Sequence, residues 1–132
     1  MTETPSPAIW PALTYADAPA AIRFLVEAFG FVETLVVPGE GGREIAHAEL
    51  RWPEGGGVML SSISDDSEFG SRKPGTASIY VVTDAPDALF ERATTAGAEV
   101  VRGLKDEDYG SRGFTVRDPE GTLWTFGTYR GA

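Results

Sequence analysis

The sequence predicts an α+β protein: two tandem βαβββ modules forming a curved mixed sheet around a concave pocket, with the helices on its outer face. Two landmarks and one pattern lead there. Asp17-Ala18-Pro19 recurs as Asp84-Ala85-Pro86, and Gly30 is matched by Gly97, at a constant offset of 84 − 17 = 67 residues. Arg51-Trp52-Pro53-Glu54-Gly55 recurs as Arg117-Asp118-Pro119-Glu120-Gly121 at 117 − 51 = 66 residues. Around these landmarks, runs rich in β-branched and aromatic residues, bounded by turn residues, mark four strands per copy.

Each element has a local cause. Residues 9–15 read as the first strand. Asp17 then offers a carboxylate to the orphan amides of a helix start, and Pro19 fits there because first-turn amides lack intrahelical partners. Ala21, Phe24, Leu25, Ala28 and Phe29 share one face of that helix, Arg23 and Glu27 lie on another, and Gly30 supplies a left-handed stop. Strands follow at 31–37, 44–51 and 58–62, with Pro53-Glu54-Gly55 turning the last hairpin. In the second copy, strands are expected at 77–83, 99–102, 113–117 and 123–128. Its helix is opened by Asp84, carries Leu89, Ala93 and Ala96 on its apolar face and stops at Gly97. Residues 1–132 thus form one domain, with a first module at 8–63, a Ser/Gly-rich linker at 64–75 and a second module at 76–130.

Composition narrows the function. The net charge of −9 and pI near 4.5 argue against a nucleic-acid partner, whose phosphates need clustered Lys and Arg, and favour a cationic or neutral ligand. The clusters Asp65, Asp66, Glu68 and Asp106, Glu107, Asp108 read as solvated surface. No apolar run is long enough for a membrane helix, and the start has neither the basic nor the apolar part of a signal peptide, so a cytoplasmic protein without membrane contact is expected. With no cysteine, disulfides, thiolate metal sites and cysteine nucleophiles are excluded.

Strand parity sorts the side chains, because alternate residues face opposite sides of a sheet. Ala46, Ala48, Leu50, Leu60, Phe114, Val116, Trp124 and Phe126 are expected against the helices, with Leu13, Tyr15, Tyr80 and Val82. The concave side then receives Trp10, Ala12, Thr14, His47, Glu49, Arg51, Met59, Ser61, Gly113, Thr115, Arg117 and Thr125, together with Ala77, Ile79 and Val81.

Tandem βαβββ units, an Asp-opened helix closed by Gly, and Asp118-Pro119-Glu120-Gly121 leading into Leu123-Trp124-Thr125-Phe126 resemble the vicinal oxygen chelate superfamily, which includes glyoxalase I, the bleomycin-resistance proteins and the extradiol dioxygenases. The resemblance spans about 9–129. It implies a divalent metal held by a His or Gln near the start of each copy's first strand and a Glu on each last strand. Those places hold Trp10, Met59, Ala77 and Thr125, which supply no such ligand, so neither metal nor cofactor is expected. The resemblance is closest to the metal-free bleomycin-resistance-like branch, whose members sequester drugs as homodimers.

His47, the sole histidine, and Glu49 form either an acid/base pair or a structurally paired strand histidine. Trp10 is either a stacking surface for ligand or core filling. Met59 and Thr125 are expected on the pocket floor with Ala12 and Ser61, and Tyr109 is either a lid residue or an exposed loop aromatic. The glycine clusters lack a phosphate-loop lysine, and Ser61 and Ser62 lack a nucleophile-elbow setting, so both readings are rejected. The expected function is metal-independent binding of a small molecule, a cationic aromatic drug or a metabolite, by a homodimer. The alternative is a glyoxalase-like lyase or isomerase using His47 and Glu49 or an atypical metal site.

Overall fold

A computed structural model describes residues 7–63 and 73–132. The first module comprises β1 (Ala12–Tyr15), α1 (Ala18–Phe24, running on through a wider π-turn at Leu25–Phe29), β2 (Val32–Pro38), β3 (Ile45–Arg51) and β4 (Gly57–Ser62). The second repeats the order with β5 (Ser78–Val82), α2 (Pro86–Thr95), β6 (Glu99–Asp106), β7 (Arg112–Arg117) and β8 (Leu123–Gly127). Most of the expected linker, and the acidic residues Asp65, Asp66 and Glu68, lie outside the described residues.

The eight strands form two four-stranded sheets, ordered β1-β4-β3-β2 and β5-β8-β7-β6. β1 and β5 run parallel to β4 and β8, and the remaining pairs are antiparallel, so each sheet is mixed. β1 is shorter than expected because Pro11 has no amide to donate, although its carbonyl still accepts from Met59 N–H at 2.9 Å. β6 runs four residues beyond its expected end and changes register on both sides of Arg102.

Asp17 caps α1, accepting from Ala20 N–H at 3.2 Å, and Gly30 closes it with a φ of 91°. The π-turn was not foreseen. Its last carbonyls are bound from the other module: Arg92 of α2 donates to Glu27 O at 2.9 Å and Val26 O at 3.1 Å. Asp84 does not cap α2 as expected. Ala85 holds the cap position without a side-chain bond, and the Asp84 carboxylate is taken by Arg130. Ala96 is exposed rather than on the buried face.

Helix-facing parity holds for β1, β3, β4, β7 and β8, where Leu13, Tyr15, Ala48, Leu50, Leu60, Phe114, Val116, Trp124 and Phe126 are buried. Ala46 shares their parity but is exposed. In β5 the expectation fails: Val81 and Thr83 are buried while Tyr80 is 47 % exposed. The register explains it. Leu13 pairs with Leu60, and Val81 pairs with Phe126, the repeat partner of Leu60, so the strand offset is 81 − 13 = 68 and not 67. Tyr15-Ala16-Asp17 is answered by Thr83-Asp84, one residue shorter, and a one-residue slip exchanges the faces of a strand.

One core serves both modules. Phe29 at the end of α1 lies 5.4 Å from the Trp124 ring and 4.8 Å from the Phe126 ring, and Trp52 lies 5.0 Å from Phe31 and 5.8 Å from Phe126. Each buried aromatic adds about 1.5–3 kcal/mol of transfer free energy.

The Pro-Glu-Gly turns do more than reverse the chain. Glu120 accepts Ala16 N–H at 2.7 Å and Asp17 N–H at 2.9 Å, and Glu54, its repeat partner, accepts Asp84 N–H at 3.0 Å. Trp52 Nε1–H donates to Val82 O at 2.8 Å, and at the matching place the buried Asp118 accepts from Tyr15 Oη–H at 2.7 Å. Each turn therefore grips the strand-to-helix corner of the other module. Burial and the Asp118 charge push the Tyr15 phenol far above its usual value of 10.0.

A phenol that stays protonated in the folded state, while the unfolded chain ionises, contributes stability below about pH 10 that falls as pH rises further, by up to about 1.4 kcal/mol per unit. Urea unfolding from pH 8 to pH 11 is expected to show this slope. Tyr15→Phe is expected to abolish it and to cost about 1–3 kcal/mol at pH 8, because a buried carboxylate loses a donor. An unchanged slope in the variant would remove the phenol as its source.

Candidate functional site

On the face of the first sheet opposite the helices, cross-strand pairing sets Ala12, Met59, Glu49 and Leu35 in one row. Thr14 pairs with Ser61, and His47 with Val37. His47 Nε2 and Glu49 Oε2 are 2.7 Å apart, both side chains partly exposed. Trp10 lies over the next row: Arg51 Cζ stands 5.7 Å from its ring centroid, and a Cβ on Gly57 would meet the ring at 2.9 Å. Arg51 and Gly57 are themselves paired, so an aromatic plate, a guanidinium and a bare stretch of backbone adjoin the Met59 and Glu49 row.

The second sheet answers with different chemistry. Its matching row is Tyr80, Thr125, Thr115 and Arg102, and the next is Val82, Gly127, Gly113 and Lys105. The Thr115 and Thr125 hydroxyls bond at 2.8 Å where the first sheet has Glu49 and Met59. Tyr109, expected as a lid or loop aromatic, is 65 % exposed, with its ring edge-on to Tyr129 at 5.8 Å. Tyr80, Arg102, Glu107, Tyr109, Thr115 and Thr125 line one hollow together with Gly113 and Gly127.

The expected pocket residues thus divide between two sheets. Trp10, Ala12, His47, Glu49, Met59 and Ser61 gather on the first, Tyr109 and Thr125 on the second. Ala77, Ile79 and Val81, expected on the concave side, pack toward the core instead, and Tyr80 takes the place given to them. Residue reasoning also missed a cavity of about 350 Å³ at the seam between the modules, lined by Ile9, Pro11, Trp52, Gly57, Tyr80 and Val82 among others. Its only advance signal was Pro11, which marks an unpaired edge. Among the described residues, the acidic surplus does not collect on the strands of these faces. Arg51, Arg102, Lys105 and Arg117 stand there against Glu49, Glu99 and Glu107, and Arg102 pairs with Glu107 and Arg117 with Glu99.

The corrected register sharpens the donor set at the places where the resemblance implies metal ligands. They are Trp10, Met59, Thr125 and, in place of Ala77, Ser78. Indole, thioether and neutral hydroxyls are poor ligands for hard divalent cations. Among the described residues, no three His, Cys, Asp or Glu side chains converge. These residues do not fit the family's metal.

Comparison with known proteins places the chain. The family described as the Glyoxalase/Bleomycin resistance protein/Dioxygenase superfamily matches residues 9–126, and the chain belongs to that superfamily. An uncharacterised protein of Mycobacterium bovis is 39% identical over 127 residues, covering 92% of this chain and 82% of the relative. Among solved structures, TioX from Micromonospora sp. ML1 superposes with a TM-score of 0.76 at 35% identity, covering 92% of this chain and 98% of TioX. A glyoxalase/bleomycin resistance protein from Catenulispora acidiphila shares the fold at a TM-score of 0.64 and 21% identity, over 90% of this chain and 95% of its own.

Gly57 is a test of the first face. An added Cβ would meet Leu50 O at 2.4 Å as well as the Trp10 ring. Gly57→Ala is expected to cost about 1–3 kcal/mol in urea unfolding and to shift Trp10 emission as the ring is displaced. An unchanged spectrum and stability would mean that Trp10 does not rest on Gly57.

Proposed function

We propose that this chain is a small-molecule-binding protein of the glyoxalase/bleomycin-resistance type, acting without a metal ion as a cytoplasmic homodimer. The observation that carries this reading is the chemistry of the open faces. Where the family's metal ligands would stand there are a tryptophan, a methionine, a serine and a threonine, groups suited to holding an organic molecule by ring contact, dispersion and hydrogen bonds. Leu35 and Val37, 43 % and 40 % exposed on the open side of β2, support a partner copy that covers them. The net charge of −9 draws cations from a distance, whereas recognition at close range rests on Trp10, Met59 and the threonine hydroxyls. A drug or metabolite with an aromatic part fits that surface.

A second reading, a glyoxalase-like lyase or isomerase, is favoured by one observation: the 2.7 Å contact that orients His47 against Glu49. Metal analysis of purified protein and a small-molecule thermal-shift screen, with and without chelator, separate the two. Binding that survives chelation is expected, with Trp10→Ala and Met59→Ala each weakening it about tenfold, the equivalent of roughly 1.4 kcal/mol. Stoichiometric metal that is lost on His47→Ala would overturn the metal-free reading.

A further inference from the structure

The seam cavity of about 350 Å³ is walled by backbone as much as by side chains. Ile79, Tyr80, Val81 and Val82 all border it, and four consecutive strand residues do so only along the strand's edge. β5 is the outermost strand of its sheet, and that edge pairs with no strand among the described residues. Leu123 N–H donates to Ala77 O at 3.1 Å and Thr83 N–H to Gly127 O at 2.9 Å, so the odd-numbered residues of β5 turn their backbone groups to β8. Tyr80 and Val82 turn theirs the other way, to the cavity. Val82 O is taken by the Trp52 indole, whereas Tyr80 N–H, Tyr80 O and Val82 N–H have no partner among the described residues.

The other wall is open for a different reason. β1 pairs parallel with β4, and Met59 N–H donates to Pro11 O at 2.9 Å. The preceding bond of that ladder would run from the amide of residue 11 to Gly57 O, and proline has no N–H to give. The ladder stops there, and Gly57 N–H and Gly57 O both lack partners among the described residues. Buried Phe31, Trp52, Val58 and Val81 supply apolar surface in the same lining. Its charged residues are Glu54 and Arg130, and Arg130 is shared between Glu54 at 3.9 Å and the Asp84 carboxylate, which leaves one negative charge. An anion is disfavoured there.

We propose that the seam cavity binds a neutral ring compound of the lactam class, its ring against Trp52 and Val58 and its amide edge paired with Tyr80. In an extended strand a residue's own N–H and C=O point the same way. A lactam presents C=O and N–H side by side, so it completes Tyr80 as a neighbouring strand would. The unpaired Gly57 groups take a second carbonyl or N–H where the ring carries one. This site lies along strand edges, apart from the open faces, and does not rest on the small-molecule-binding reading given to those faces above.

Isoindolinone, its N-methyl derivative and indanone share one bicyclic shape, and of these isoindolinone alone has a ring N–H beside its carbonyl. Titrated into the ¹⁵N-labelled full chain, isoindolinone is expected to shift the Tyr80 and Val82 amides and to bind about tenfold more tightly than either of the others, which leave Tyr80 O unpaired. Its affinity is expected to be the same at low and high salt, since the probe carries no charge. Pro11→Ala, which returns the missing donor to Gly57 O, is expected to keep both the shifts and the preference. Equal binding of the three probes overturns the proposal, and loss of the preference in Pro11→Ala would place the lactam at Gly57 and overturn it as well. Tyr80 and Val82 amides that are protected from hydrogen exchange in the free protein, and released on dilution, would mean that a second copy covers this edge, and would overturn it. Shifts confined to Glu49, Met59, Thr115 and Thr125 overturn it while supporting small-molecule binding at the open faces. Silence from all three probes overturns it too, and the open-face reading is then judged by its own screen.

Discussion

The carboxylate of Asp118 holds the two modules in one arrangement. It is buried, and its Oδ2 accepts from Tyr15 Oη–H at 2.7 Å and Trp124 Nε1–H at 3.0 Å, while its Oδ1 accepts from Glu120 and Thr122 N–H at 3.0 and 3.1 Å. A buried charge is tolerated when its lone pairs are so occupied, and becomes costly when one donor is withdrawn. Tyr15 comes from the first module and the other donors from the second. The same carboxylate therefore shapes the turn that lets Glu120 reach the start of α1, and Trp52 and Glu54 repeat the grip from the other side. With both corners held, neither open face is free to turn relative to the other.

On this near-symmetric frame the open faces have diverged. Glu49 answers to Thr115, Met59 to Thr125, His47 to Gly113 and Ala12 to Tyr80, so one face has an imidazole-carboxylate pair next to the row that Trp10 covers, and the other has paired hydroxyls next to glycines that Tyr80 covers. Core positions keep their burial and not their size: Leu60 answers to Phe126 and Leu50 to Val116, but also Ala48 to Phe114 and Val58 to Trp124. On the helix side a large residue in one copy is met by a small one in the other, as close packing of one shared core requires, whereas the open side has no such partner to fill.

Much of this was legible in the sequence because its causes are local. Gly30 and Gly97 stop helices through a positive φ, Gly55 and Gly121 turn hairpins the same way, and period-two alternation sorted β3, β4, β7 and β8 correctly. What escaped depends on distant partners or on single-residue length. The loss of one residue before Asp84 leaves no mark in composition yet inverts β5, so Tyr80 was assigned to the core. Asp118 and Tyr15 are 103 residues apart, and nothing in a Pro-Glu-Gly turn announces which corner it grips. Asp84 resembles Asp17 in its setting, but Arg130 claims its carboxylate. For the site, residue types on the first open face and Gly113 on the second were readable from parity, while Tyr80 lying over Gly127 emerges only when β5 and β8 are placed in register.

The lock at Asp118 is tested most directly by a double-mutant cycle of Tyr15→Phe and Asp118→Asn in urea unfolding, which isolates the term linking the two modules. The expected result is a coupling of at least about 1 kcal/mol, with the double variant losing clearly less stability than the sum of the single variants. Additivity within about 0.3 kcal/mol would contradict it, and would leave the Glu120, Glu54, Trp52 and Arg92 bonds and the shared aromatic core to hold the modules together.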